Sequence, residues 1–155
     1  MTRQRADSRR LRAFGPGLLC LAALAVAGSP ADARTVSLNE TGHLHLTSKH
    51  NFTLNEQGSA SGTIAGAIYV RLTAVSTSRV TVEVSIRPPG GSISGKGSGS
   101  YRRTGSIANF SGTMSFGSGT GRFARAHGAG LSFSGKIEEA NRDAITVYVR
   151  GTVSD

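Results

Sequence analysis

Beyond residue 34, apolar and polar residues alternate with a period of two along most of the chain. In Val80–Arg87 one parity reads Val, Val, Val, Ile and the other Thr, Glu, Ser, Arg. In Ile145–Val153 the two parities are Ile/Val/Val/Gly/Val and Thr/Tyr/Arg/Thr. Ile64–Ala74 repeats the pattern, as do Leu131, Phe133, Gly135 and Ile137, and Phe110, Gly112, Met114 and Phe116. A period of two places successive side chains on opposite faces of a strand, so each segment has one apolar and one wet face. The pattern predicts eight strands, at 35–47, 51–58, 62–75, 79–87, 92–103, 106–117, 128–138 and 143–153. Turn residues separate them: Pro88-Pro89-Gly90-Gly91, Gly117-Ser118-Gly119-Thr120-Gly121 and Asn141-Arg142-Asp143. No window carries a helical period, and one short helical turn is expected around Arg122–Ala126.

Glycine changes this picture. The 155 residues include 21 Gly, about twice the ordinary share of 7%. Gly95, Gly97 and Gly99 occupy one face of one strand. Glycine inside strands marks bends and close backbone approach, the means by which a sheet is curved. The expected fold is therefore all-β, a single antiparallel eight-stranded β-barrel. A two-sheet sandwich has the same periodicity and is the competing architecture.

Residues 1–33 have the layout of an export signal. Arg3, Arg5, Arg9, Arg10 and Arg12 precede the apolar run Leu18–Ala27, and Ala31-Asp32-Ala33 fits a cleavage site. Ten apolar residues are too few for a helix across a bilayer core, which takes about 20. Ser8-Arg9-Arg10 leaves the route open between general and twin-arginine export. Leu18-Leu19 before Cys20 is unlike a lipidation site, which has a small residue there. The expected organisation is a signal peptide at 1–33, of bacterial character, and a secreted, extracytoplasmic barrel domain at 34–155. The barrel domain has no cysteine, which excludes disulfides and thiolate chemistry.

The barrel domain carries 13 Lys and Arg against 7 Asp and Glu, a net charge of +6. The cations alternate with Ser and Thr and form no run, and no aromatic stacking platform accompanies them. This pattern suits anionic envelope polymers better than specific nucleic-acid recognition. A solvated, soluble surface is the plainer reading of the same residues. A membrane-spanning barrel requires Arg71, Arg87 and Arg150 to face the lumen, with only eight aromatics for the interfacial girdles.

Candidate chemistry is sparse. Leu38-Asn39-Glu40-Thr41-Gly42 recurs as Leu54-Asn55-Glu56-Gln57-Gly58. Glu40 and Glu56 share parity with their leucines, which points them to the apolar face, where they would act as an acid–base pair with raised pKa values. The alternative is that both repeats are turns or bulges that leave the carboxylates in water. Tyr101 continues the glycine stripe and offers a cavity its hydroxyl. With Arg103, two residues on, and the two glutamates, it completes the set of ligand-binding candidates. His43-Leu44-His45 supplies two imidazoles on one face, but Thr41 and Thr47 share that face and no third ligand is close in sequence. No metal, no cofactor and no catalytic residue is assigned. A serine-hydrolase triad lacks its G-x-S-x-G elbow and has almost no Asp to draw on.

The stretch Gly119-Thr120-Gly121-Arg122-Phe123-Ala124-Arg125-Ala126-His127-Gly128 reads G-T-G-x-F-x-x-A-x-G. It resembles a motif of dirigent proteins and the related allene oxide cyclase-type barrels, and it lies in the same relative place, ahead of the last two strands. The resemblance implies an eight-stranded antiparallel barrel, a lumen that takes apolar small molecules, and assembly into dimers or trimers. It assigns structural roles to Gly119, Thr120, Gly121, Phe123 and Gly128: tight turns, a ring that plugs one barrel end, and a close strand start. It assigns no catalytic residue, because the only aspartates after residue 33 are Asp143 and Asp155.

The expected function is thus a secreted small β-barrel that binds a small apolar or aromatic ligand in its lumen. A cyclase- or isomerase-type enzyme, built on Glu40 or Glu56 with Tyr101, is the second reading. A basic surface protein that binds anionic envelope polymers is the third. Self-association into a homo-oligomer is compatible with all three.

Overall fold

The computed structural model describes residues 34–141 and 144–154, so the expected signal peptide, Arg142, Asp143 and Asp155 lie outside the described residues. Eight strands follow one another: β1 (Thr35–His50), β2 (Thr53–Gly62), β3 (Gly66–Ala74), β4 (Arg79–Arg87), β5 (Gly91–Thr104), β6 (Ile107–Gly121), β7 (Gly128–Glu138) and β8 (Ala144–Ser154). Each pairs antiparallel with the next, and β8 returns to β1 to close the barrel. The closing ladder runs from Thr35↔Ser154 to Leu44↔Ile145. The barrel, not the sandwich, is the fold.

Parity decides what lies inside. Ile68, Val70 and Leu72 of β3 and Val80, Val82, Val84 and Ile86 of β4 are buried, while their chain neighbours face outward. β-branched side chains suit this pleated, half-buried surface. Each fully buried Val, Ile, Leu or Phe contributes about 1.5–3 kcal/mol. Outward positions carry Ser, Thr, Arg and Lys, so the polarity is the reverse of a membrane-spanning barrel, whose outer band is apolar. Arg71, Arg87 and Arg150 all face outward, which overturns the membrane alternative.

The interior of an eight-stranded barrel is just wide enough for side chains to fill it. Large residues on one strand therefore meet glycine on another. Gly95 pairs with Phe116, Gly97 with Met114, and Gly99 with Gly112. A Cβ on Gly112 would lie 2.2 Å from the Ser98 carbonyl oxygen, and one on Gly99 would lie 2.1 Å from that of Ser111. Here β5 and β6 approach too closely for any side chain. Phe110 and Phe133, with ring centres 6.2 Å apart, fill the adjacent space.

Four differences from the sequence pattern are local. Gly117–Gly121 is not a loop, because β6 runs through it and pairs with the start of β5. Register shifts at Ser94/Gly95 and Met114/Phe116 break the alternation there and hide the strand. Residues 63–65 form the β2–β3 turn, with Ile64 half-buried against the core, where the alternation predicts strand. The expected helical turn at Arg122–Ala126 is a succession of tight turns, closed by Phe123 N–H to Thr120 O (3.1 Å) and Ala126 N–H to Phe123 O (2.9 Å). A 3-10 turn at Glu139–Asn141 was not anticipated.

The close approach at Gly112 is testable by stability. We expect Gly112→Ala to cost about 1–3 kcal/mol, the usual effect of forcing atoms into a packed site. Gly117→Ala, where the added carbon meets nothing within 4 Å, should stay within about 0.5 kcal/mol of the parent. Equal urea midpoints for the two variants would show that the β5–β6 approach is not tight.

Candidate functional site

The barrel end that carries the β1–β2, β3–β4, β5–β6 and β7–β8 connections holds an apolar pocket of about 180 Å³. Leu54, Leu72, Val80, Phe110 and Ile137 line it, Tyr101 stands in its wall, and Lys49, Arg103 and Glu139 surround it. Phe52, 76% exposed, projects from the β1–β2 turn beside the opening. Asn51 makes that turn with a positive φ of 51°, a conformation asparagine tolerates better than most residues.

Backbone hydrogen bonds between neighbouring connections fix the rim. Ala74 N–H donates to Phe52 O (2.9 Å), Tyr101 N–H to Ser78 O (2.9 Å), and Glu139 N–H to Ser106 O (3.0 Å). Arg103 donates through Nε to Gly105 O (3.1 Å), and its guanidinium forms an ion pair with Glu139. The guanidinium is thereby held at the pocket's edge, although both partners are partly exposed, where such a pair contributes little to stability. Its consequence is positional.

The structure brings together two of the four candidate residues, Tyr101 and Arg103. Glu56 is buried, 2% exposed, one inward position deeper along β2 than Leu54. It belongs to the interior layer of Leu46, Val70, Val84, Gly95 and Phe116. Glu40 is also buried, 1% exposed, as its parity requires. It sits at the opposite end of the barrel, paired across β1 with Gly62 and Val149. Glu56 pairs with Leu46, six residues along β1 from Glu40, which puts the two carboxylates about 20 Å apart at 3.3 Å per residue. Glycosidase carboxylates that share one substrate lie about 5–9.5 Å apart. The expectation of a joint acid–base pair is therefore overturned, and so is the expectation that both carboxylates face water.

Glu40 instead ties the β2–β3 turn to the barrel. Its Oε1 accepts the Ile64 N–H, and the Thr63 N–H also favours the charged form. Thr63 Oγ1 accepts the Asn39 N–H (3.1 Å), so both sides of the turn are held to β1. Among the described residues, Glu40 Oε2 has no hydrogen-bond partner. Burial raises the Glu40 pKa above its usual value, and the two backbone hydrogen bonds only partly offset this.

His43 and His45 are exposed on β1, and no group of three metal-ligating side chains occurs among the described residues. Phe123 is half-buried against the core at the Glu40 end, with the Arg122 guanidinium 4.7 Å from its ring centre. Gly119, Thr120 and Gly121 end β6, Gly128 opens β7, and the hydroxyls of Thr120 and Ser92 are 2.9 Å apart. Phe52, Lys49 and Glu139 escaped the sequence reading of the pocket. An aromatic residue in a two-residue turn was the one available signal. No protein-family model, curated protein or solved structure matches this chain.

The placement of Glu40 predicts a pH dependence. A carboxyl whose pKa is higher in the folded state keeps its proton to higher pH than the unfolded chain does. Its contribution is fully present below the unfolded carboxyl pKa, about 4.3, and is lost as pH rises through the folded value. Glu40→Gln keeps an acceptor for Ile64 N–H and carries no charge. The difference in urea midpoint between parent and variant should grow in favour of the variant as pH rises from about 4. A difference independent of pH would show that Glu40 titrates normally. Glu40→Ala should cost about 1–3 kcal/mol, because a buried N–H loses its acceptor.

Proposed function

We propose that this protein binds a small apolar or aromatic molecule, of about single-ring size, at the mouth of the barrel. The observation that carries the reading is the pocket itself: about 180 Å³, apolar walls, one tyrosine, and an ion-paired arginine at the rim. Cavities of about 150 Å³ lined by aliphatic and aromatic side chains take up benzene. Ligand pockets in general combine apolar walls with a few convergent polar groups. Tyr101 and Arg103 supply that polar component here. The resemblance of Gly119–Gly128 to dirigent and allene oxide cyclase-type barrels supports the same reading, since the lumen of those barrels binds apolar small molecules. On this reading residues 1–33 direct export and the barrel acts outside the cytoplasm.

A binding protein is favoured over a cyclase or isomerase. Glu40 is at the far end of the barrel, and Glu139 is held by Arg103. Glu56, the other carboxylate of the enzyme reading, is buried one inward position deeper than Leu54 and does not line the pocket.

Nuclear magnetic resonance titration with phenol, toluene and cyclohexanol tests the proposal. Shift changes should cluster on Phe52, Leu72, Tyr101 and Ile137. Tyr101→Phe should weaken phenol binding about fivefold, the loss of about 1 kcal/mol from one hydrogen bond, and leave toluene unchanged. Ala74→Phe should block the mouth for all three. Shifts that scatter over the outer surface, or no saturable shifts at all, would sink the proposal.

A further inference from the structure

The outer face of β5–β8 carries a second arrangement, whose polar and charged side chains are distinct from those of the mouth. Register places Ser100, Ser111, Ser134 and Tyr148 in one row across the four strands. Arg102 and Lys136 stand in the row on one side of it, with Asn109 between them. Arg150 stands in the row on the other side, paired with Ser132. All these side chains end in hydroxyl, amide or cationic groups, and all are exposed.

Two hollows follow this grid. One, of about 540 Å³, has Ser100, Ser111 and Ser134 along it, with Arg102, Lys136 and Tyr148 at its sides. The other, of about 250 Å³, lies between Ser132, Ser134, Tyr148 and Arg150. Ser134 and Tyr148 belong to both, so the hollows adjoin across these two side chains.

The charge is one-sided. Arg102 has no ion pair among the described residues. Arg150 donates through Nε to Asn39 Oδ1 (3.2 Å), a neutral partner. Lys136 meets Glu138 at 2.5 Å, the carboxylate that borders the grid. Adjacent strands are about 4.8 Å apart, so Arg102 and Lys136 stand about 10 Å from each other, with hydroxyls beside the line between them.

We infer that this trough binds a linear polyanion of phosphodiester-linked polyol units. The cations neutralise phosphates, and arginine's planar donor fork matches a phosphate in a way lysine cannot. The serine row meets the polyol carbons and hydroxyls between the phosphates. A nucleic acid fits less well, because the trough offers one aromatic ring and base stacking needs a series of them. The inference does not rest on the proposed ligand at the mouth.

The test is fluorescence anisotropy of the purified chain with a labelled glycerol-phosphate oligomer. Inorganic polyphosphate and a single-stranded oligonucleotide of equal charge serve as comparison probes. The glycerol-phosphate oligomer should bind tightest, with log affinity falling against log salt with a slope of about −2 for three engaged cations. Combined Arg102→Glu and Arg150→Glu should weaken it at least tenfold and flatten the slope. Combined Ser111→Val and Ser134→Val, which suit a strand, should weaken the oligomer and leave polyphosphate unchanged. Arg71→Glu with Lys96→Glu, on a different part of the outer face, should have a smaller effect than the Arg102/Arg150 pair. Equal losses from the two charge-reversed pairs would reduce the binding to net charge and overturn the inference. Tighter binding of the oligonucleotide would overturn it in favour of nucleic acid. Retained binding in the Arg102/Arg150 variant, with its melting temperature unchanged, would overturn it outright.

Discussion

The ladder between β8 and β1 is the constraint on which the other features depend. Once Thr35 pairs with Ser154 and Leu44 with Ile145, no strand has a free edge and every second residue must enter one narrow interior. An open sheet tolerates a misplaced side chain by exposing it. A closed one of eight strands does not, because its interior is only as wide as the side chains that fill it. Phe116, Phe133, Leu131 and Ile86 take up that space. Several facing positions are reduced to glycine, as where Gly99 meets Gly112. A deep lumen is thus filled by the protein's own side chains. The pocket beside Tyr101 lies at the rim, where strands end and turns begin.

The same closure explains the two buried carboxylates. Inward parity gives Glu40 and Glu56 no route to solvent short of breaking the register. Glu40 resolves part of the conflict by accepting hydrogen bonds from the turn that follows β2. A turn at a barrel end has backbone donors that no neighbouring strand can satisfy, and buried donors left without acceptors are costly. A carboxylate rising from inside the barrel meets that need from below. The cost is desolvation of its charge, visible in the raised pKa. Glu40 therefore reads as a structural anchor at the end that carries the β2–β3 turn, and the pocket lies at the other.

Much of this was legible in the residues. β4 and β7 have the ends their alternation predicts, because Pro88-Pro89 stops the first and Gly128 starts the second. The inward direction of Glu40 and Glu56 also follows from parity. What that parity could not show is the hydrogen-bond partner, since residues 63–65 continue the alternation of β3 and look like strand. β6 was cut short for a similar reason: the bulges near Gly95 and Phe116 shift the register, and glycine-rich strand is indistinguishable from glycine-rich loop by period alone. Tyr101 was found because it extends the glycine stripe. Arg103 and Glu139 pair across 36 residues of sequence, a contact that exists only once β5, β6 and β7 are in register.

Short side chains on β5 have consequences on both faces. Inside, Gly95, Gly97 and Gly99 let Phe116 and Met114 lie over the backbone and bring β6 close. Outside, Ser98 and Ser100 continue into Ser111, Thr113, Ser132 and Ser134 across β6 and β7. Gly95, Gly97 and Gly99 leave the inner face of β5 without bulk, so this strand can take up the strong curvature that closure demands. Long residues return only at the margins of the serine-lined sector, as Arg102, Lys136, Tyr148 and Arg150. A floor of hydroxyls between walls of cations is the outward result of a composition imposed by the interior. The residues that deny the barrel a wide lumen are continuous with those that leave a polar, positively charged hollow on its surface.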